Sequence, residues 1–214
     1  MYVSEMFDQL RLLLVDPSDT DYPFETKKLY LNRGIDAMFP KVYMIETDET
    51  TALVEDDVEY IVPTAFAGGY ITSVEIEDPD TGYYSRLDTY DLTHNRSGDT
   101  LIKLDFQPTA DQAGMNLRFR GAIQIPRISA ASYAAAGSET WLGPAQAIEI
   151  PVAYAMSLCY ITALNPRMDF GEYSVQNQNG AADIVSIMGA GQYWMEQFRM
   201  LLDQHEMPLP ISVV

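Results

Sequence analysis

Basic residues, histidine and cysteine are all scarce in this chain. Thirteen Lys and Arg stand against 31 Asp and Glu, a formal net charge of −18. Such a balance opposes nonspecific attraction to phosphate backbones and anionic membrane surfaces, so the surface as a whole is not a DNA-binding one. The few bases are scattered, and no nucleic-acid readout surface is visible. A strongly charged surface also resists aggregation. Cys159 is the only cysteine, which excludes an intrachain disulfide. It sits in the apolar run Ala153–Ala163 with no base or histidine close by, the setting of a buried small hydrophobe rather than a reactive thiol. A reducing cytoplasm, or a particle built there, is the expected setting. No stretch approaches the ~18 uncharged apolar residues of a membrane helix. The opening MYVSEMFDQLRLLLVD lacks the basic and apolar regions of a signal peptide. Missing too are a G-x-S-x-G elbow, a Walker loop, H-E-x-x-H and C-x-x-C. No catalytic centre, bound metal or cofactor is therefore expected.

What is present is ordered simply. The composition is 47% hydrophobic and 21% charged, enough to bury a core. Val3, Met6, Phe7, Leu10 and Leu14 recur at helical spacing, with Pro17 beyond them. After the turn-rich DPSDTDYP, Thr26 is placed to cap a second helix whose apolar side is Leu29, Met38 and Phe39. Asn32 falls in its middle, facing solvent or bonding a neighbouring loop. From Thr50 the period becomes two. Thr51–Val54, Glu59–Pro63, Tyr70–Glu77, Tyr83–Leu92, Thr100–Phe106 and Asn116–Ile125 read as strands, with turns at Pro79–Gly82 and Asn95–Gly98. A run rich in Ala, Ser and Gly follows over 126–147, with Trp141 alone in it. Pro151 suits the first turn of a helix carrying Val152, Met156, Cys159 and Ala163. A last helix carries Ile184, Ile187, Met188, Gly191, Trp194, Met195, Phe198, Leu201 and Leu202 in one stripe. Gly189 and Gly191 suggest a bend, or close approach of another backbone there.

The terminal helical blocks are each too small to bury a core alone. The expected fold class is therefore α+β: a small helical bundle from 1–45 and 148–206, with an antiparallel β-sandwich or open barrel inserted over 46–125. Residues 126–147 are expected to form a loop or arm, and 207–214 a docking tail. In that tail Met207, Leu209, Ile211, Val213 and Val214 are apolar and carry no side-chain charge, so they and Trp141 are the candidate partner-binding residues. Other clusters have blander explanations. Asp88, Asp91 and His94 resemble a metal trio, but strand alternation sends Asp91 to the opposite face. Asp16, Asp19 and Asp21 lack the glycine and closing glutamate of a calcium loop and suit a turn. His205 follows a helix C-terminus, where a cation is favoured. Glu46, Asp48, Glu49, Glu55, Asp56, Asp57 and Glu59 make an acidic face. The first 60 residues hold 14 acids and 5 bases, half of the total net charge.

The segment EMFDQLRLLLVDPSDTDYPFETKKLYLNRGIDAMFP resembles the opening of head–tail adaptor (connector) proteins of tailed bacteriophages. Those chains begin with a short helix, an acidic turn and a second helix with an Asn near its middle, here Asn32. Glu59–Pro63 is similar to the β insertion of some adaptors and tail tubular proteins, and Tyr193, Trp194 and Phe198 fit the aromatic closing helix. The resemblance implies a non-enzymatic virion protein of the neck, assembled in the host cytoplasm. It implies a ring, commonly of twelve copies, that binds the portal and the tail or neck proteins. Double-stranded DNA would pass through its channel without sequence-specific binding, and no membrane is involved. In that setting the acids from Glu46 to Glu59 become channel-facing candidates. The rival readings are another neck, tail-completion or terminator subunit, and a β-type virion module that binds a receptor or carbohydrate through Tyr70, Tyr83, Tyr84 and Tyr90.

Overall fold

The computed structural model describes all residues except 79, 96, 165–177 and 209–214, with backbone alone for 163–164 and 178–187. Helices and antiparallel strands are segregated along the chain, an α+β fold. The chain divides into two compact units, Met1–Tyr43 with Ile125–Met207, and Met44–Gln124.

In the helical unit, α1 (Ser4–Leu14) buries Met6, Phe7 and Leu10, with Val3 buried just before it; Leu14, the last residue of the predicted stripe, is half-buried. It ends where Val15 turns left-handed at φ 54° and returns its N–H to the Arg11 and Leu12 carbonyls. α2 (Phe24–Met38) starts earlier than expected. Thr26 does not cap it; the Pro23 carbonyl accepts from the Thr26 and Lys27 amides, and proline's fixed φ prepares the first turn. The inward face is Lys27, Tyr30, Leu31, Gly34, Ile35 and Met38, whereas Leu29 points outward, 49% exposed.

α4 (Glu149–Leu164) is the central helix, packed against α1, α2 and α5 (Gln178–Gln204). It buries Ile150, Val152, Ala153, Ala155, Met156 and Cys159, so its apolar residues are not confined to one stripe. The tight backbone approach is at Gly34, where a Cβ would lie 2.8 Å from Pro151 Cα. The α5 glycines do not serve that purpose. A Cβ on Gly191 would meet Ile161 at an ordinary 3.5 Å, and one on Gly189 would meet no atom within 4 Å among the described residues. Nor is the α5 stripe uniformly covered: Phe198 is buried, Trp194 and Leu202 are half-buried and Met188 is exposed.

The segment 126–147 is no free arm; it is part of the helical unit. It contains the short helix α3 (Tyr133–Ala136), capped by the Ser132 hydroxyl, which accepts from the Ala135 amide. Ile128, Ala130, Ala136 and Trp141 are buried. Glu139 accepts from the Ser129 and Ala130 amides, and Asn32 both accepts from the Ile128 amide (2.7 Å) and donates to its carbonyl (3.2 Å). A loop whose backbone is paired in this way need not face water. Its many small side chains hid the anchoring from composition.

The β unit has two sheets, ordered β1-β7-β3-β4 and β2-β6-β5. The first joins β1 (Met44–Ala52), β7 (Asn116–Ile123), β3 (Tyr70–Glu77) and β4 (Tyr84–Arg86). The second joins β2 (Glu59–Ile61), β6 (Thr100–Leu104) and β5 (Tyr90–His94). All pairings are antiparallel. Leu53, Tyr60, Val62, Phe66, Ile71, Val74, Ile102, Leu104, Leu117 and Phe119 form one core between them. Gly121 is required on β7, since a Cβ there would lie 2.5 Å from the Tyr70 carbonyl and 2.6 Å from the Phe66 ring. β1 begins at Met44, well before the strand expected at Thr51. Its charged residues and a register shift between Asp48 and Thr51 mask the alternation.

Candidate functional site

The acidic candidates fall on one edge strand and the turn that leads from it to the other sheet. Glu46, Asp48 and Glu49 lie on β1; Glu55, Asp56 and Asp57 form the turn to β2, and Glu59 opens β2. Glu49, Glu55, Asp56, Asp57 and Glu59 are exposed, and Glu46 and Asp48 half-buried. Some of this charge shapes the backbone. Asp48 Oδ1 accepts from the Thr50 amide at 2.9 Å, which stabilises the irregularity in β1. Asp57 Oδ1 accepts from the Glu59 amide at 3.1 Å. Asp56 takes a left-handed φ of 64°, and its carboxylate accepts from the Gln107 amide group. Among the described residues, Glu49 is the one of the seven that forms an ion pair, 3.5 Å from Arg118. Arg118 itself binds Glu75 and stacks over the Tyr84 ring, 3.8 Å from its centroid.

The tyrosines of the receptor reading do not form one site. Tyr70 opens β3 opposite Ala122, while Tyr84 pairs with Glu77 at its other end. Tyr90 lies in the second sheet, beside a cleft of about 350 Å³ also lined by Asp88, Thr89, Asp91, Lys103, Leu104 and Asp105. The Tyr90 hydroxyl is buried without a hydrogen-bond partner, and burial raises its pKa. His94 ends β5, its Nδ1 3.3 Å from the Thr100 hydroxyl. Among the described residues no group of three metal-ligating side chains comes together. No helix among them is long and apolar enough to cross a membrane.

Of the partner-binding candidates, Trp141 is 7% exposed, and its indole N–H donates to the Pro144 carbonyl at 3.0 Å. Its side chain is occupied within the chain itself. Met207 is half-buried, its amide donating to the Lys41 carbonyl at 2.8 Å. Leu209, Ile211, Val213 and Val214 lie outside the described residues.

The densest ionic cluster was not foreseen. Lys27, 0% exposed, sits 3.1 Å from Asp16 and 2.5 Å from Asp19. Arg11 grips Asp19 with two nitrogens, at 2.5 and 3.1 Å, and the Tyr133 hydroxyl donates to the same carboxylate at 2.7 Å. Asp16 also accepts from the Thr20 and Tyr22 amides. The Arg11 hydrogen bond holds the Asp19 carboxyl well below its usual range, against the opposing effect of burial. Burial works to raise Asp16, but the Lys27 bond and the two amides outweigh it, and its pKa is lowered. Both aspartates are thus saturated by protein groups, which leaves no calcium loop here, and Asp21 stands apart and exposed. The sequence signal was present: Lys27 precedes Leu31, Gly34, Ile35 and Met38 on one helical face. Nearby, burial pushes the Cys159 thiol up to about 12, an inert side chain at neutral pH.

No family model matches the chain, and no curated protein matches it.

Proposed function

We propose that the chain is a structural protein of a tailed-phage virion, a head–tail adaptor that forms a ring between portal and tail and lines the DNA channel. The observation that carries this reading is the acidic run along β1 and the turn that leads from it to β2. Seven carboxylates lie between Glu46 and Glu59 with no base among them. A channel that passes DNA must not hold it, and an acidic wall repels phosphates where a basic one would bind them through counterion release. Repeated around a ring, the field is strong within the channel and screened over about 8–10 Å at physiological salt. The order of elements supports the reading too, with an α1–α2 opening, a β unit and a closing helix pair matching the expected architecture of such adaptors. No enzymatic role is assigned. The virion neck is the proposed location, and the portal, the tail or neck proteins and further copies of the chain are the proposed partners.

The test is a particle assembled without the chain. Filled heads and finished tails that fail to join, and that join when purified chain is added, support the reading. Complete, ejecting particles without it would overturn the reading.

A further inference from the structure

The β unit ends in four sheet edges, and they are not alike. β1 and β4 are the edges of the four-stranded sheet; β2 and β5 are those of the three-stranded one. An edge strand presents unpaired backbone donors and acceptors, so it must be short, guarded or covered. β2 carries Glu59 and is three residues long, and β5 carries Asp91. β1 spans nine residues and carries Glu46, Asp48 and Glu49 with no base. β4 is the exception: it reads Tyr84-Ser85-Arg86, with a base and no acid. Three acidic edges repel one another, and β4 alone among the four complements β1 by charge.

We infer that the β1 edge of one copy pairs with the β4 edge of a second copy, so that the four-stranded sheets join into one continuous sheet. The contact is heterologous, because the two edges are different surfaces of the same chain. Contacts of that kind generate rings when the rotation closes. The acids on β1 thereby have two effects: they forbid β1–β1 pairing between like copies, and they select the Arg86-bearing edge. This inference rests on the ring reading above and names the surface through which the ring forms.

The purified full chain tests it in two measurements. Sedimentation over a range of concentrations gives the oligomeric state, and hydrogen exchange on the assembled and monomeric forms gives the location of the contact. We expect Met44–Ala52 and Tyr84–Arg86 to exchange at least tenfold more slowly in the assembly. Arg86→Glu is expected to weaken association at least tenfold, and Glu46→Arg to do likewise. The double variant, with both charges exchanged, should recover association to within about threefold of the original. Arg86 is exposed and Glu46 half-buried, and the circular-dichroism spectrum of each monomer verifies its fold. A ring whose β1 and β4 amides exchange as fast as in the monomer would overturn this interface and leave the ring reading standing. So would a double variant as weak as the single ones. A chain that stays monomeric at every concentration would overturn both.

Discussion

The 15 acids of the helical unit face 8 bases, and the 16 of the β unit face only 5. The larger difference is where they sit. In the helical unit carboxylates are drawn into ionic and backbone contacts: Asp16 and Asp19 around Lys27, Asp36 on Arg127, Asp203 and Glu206 on Lys41, and Glu139 on the 129–130 amides. In the β unit Glu75 meets Arg118 and Arg120 and Glu49 meets Arg118, but most carboxylates stand in turns and on edges, where Asp48, Asp57 and Asp78 accept from amides two or three residues ahead. Charge of one sign therefore stabilises tertiary structure in one unit and is left largely unneutralised on the surface of the other. The β unit can present a field to a partner; the helical unit has spent much of its charge on itself.

The contrast can be broken by mutation, because Trp141 and Trp194 both belong to the helical unit, so tryptophan emission reports on that unit alone. The largest effect is expected from Lys27→Met. It leaves Asp16 buried without its cation, and breaking a buried pair from one side costs about 3–5 kcal/mol. Denaturant unfolding followed by tryptophan emission measures it; a loss below about 1 kcal/mol would mean that the cluster is solvated and contributes little.

Asn32→Ala comes next. It leaves the Ile128 amide and carbonyl without partners, at a cost of about 1–3 kcal/mol. The same fluorescence transition should shift, and protease cleavage within 126–147 should accelerate. Unchanged cleavage would show that the segment is held by its apolar anchors alone.

Acid titration sharpens the comparison further. Asp16 and Asp19 have folded pKa values below the ordinary 3.8. The stability they contribute is therefore present above about pH 4 and is lost as pH falls through their lowered values. Tryptophan emission should stay native as the pH falls to 4 and change only below it. A transition near pH 5 would contradict the assignment.

The smallest effect is expected on the β unit's surface. Glu55→Gln together with Asp56→Asn should change stability by no more than about 0.5 kcal/mol, measured by circular dichroism. A larger loss would mean that the carboxylates of this turn are structural after all.

How far these features could be read in the sequence depended on whether side-chain type and position agreed. β3, β6 and β7 were legible because branched and aromatic residues alternate between glycine-bearing turns. α1 was legible because its stripe contains no charge. β1 was obscured because Glu46, Asp48 and Glu49 read as a solvated run, although they ride on a paired strand with a register shift. Leu29 was misplaced because residue type puts a leucine inside, whereas the helical phase set by Leu31, Ile35 and Met38 puts Lys27 there. The segment 126–147 concealed its order in backbone bonds to Asn32 and Glu139, which composition does not reveal. The acidic face was visible in the sequence, and so was the turn at Glu55–Asp57 between two strands; that Glu46, Asp48 and Glu49 ride on an edge strand was not.

The central claim, that this acidity faces passing DNA, is tested most directly by electron microscopy of the assembled particle at a resolution that traces this chain. The account predicts a ring of copies between portal and tail, with Glu46, Glu55, Asp56, Asp57 and Glu59 turned toward the lumen. A ring that carries those residues on its outer rim would contradict it and leave solubility as the cause of the charge.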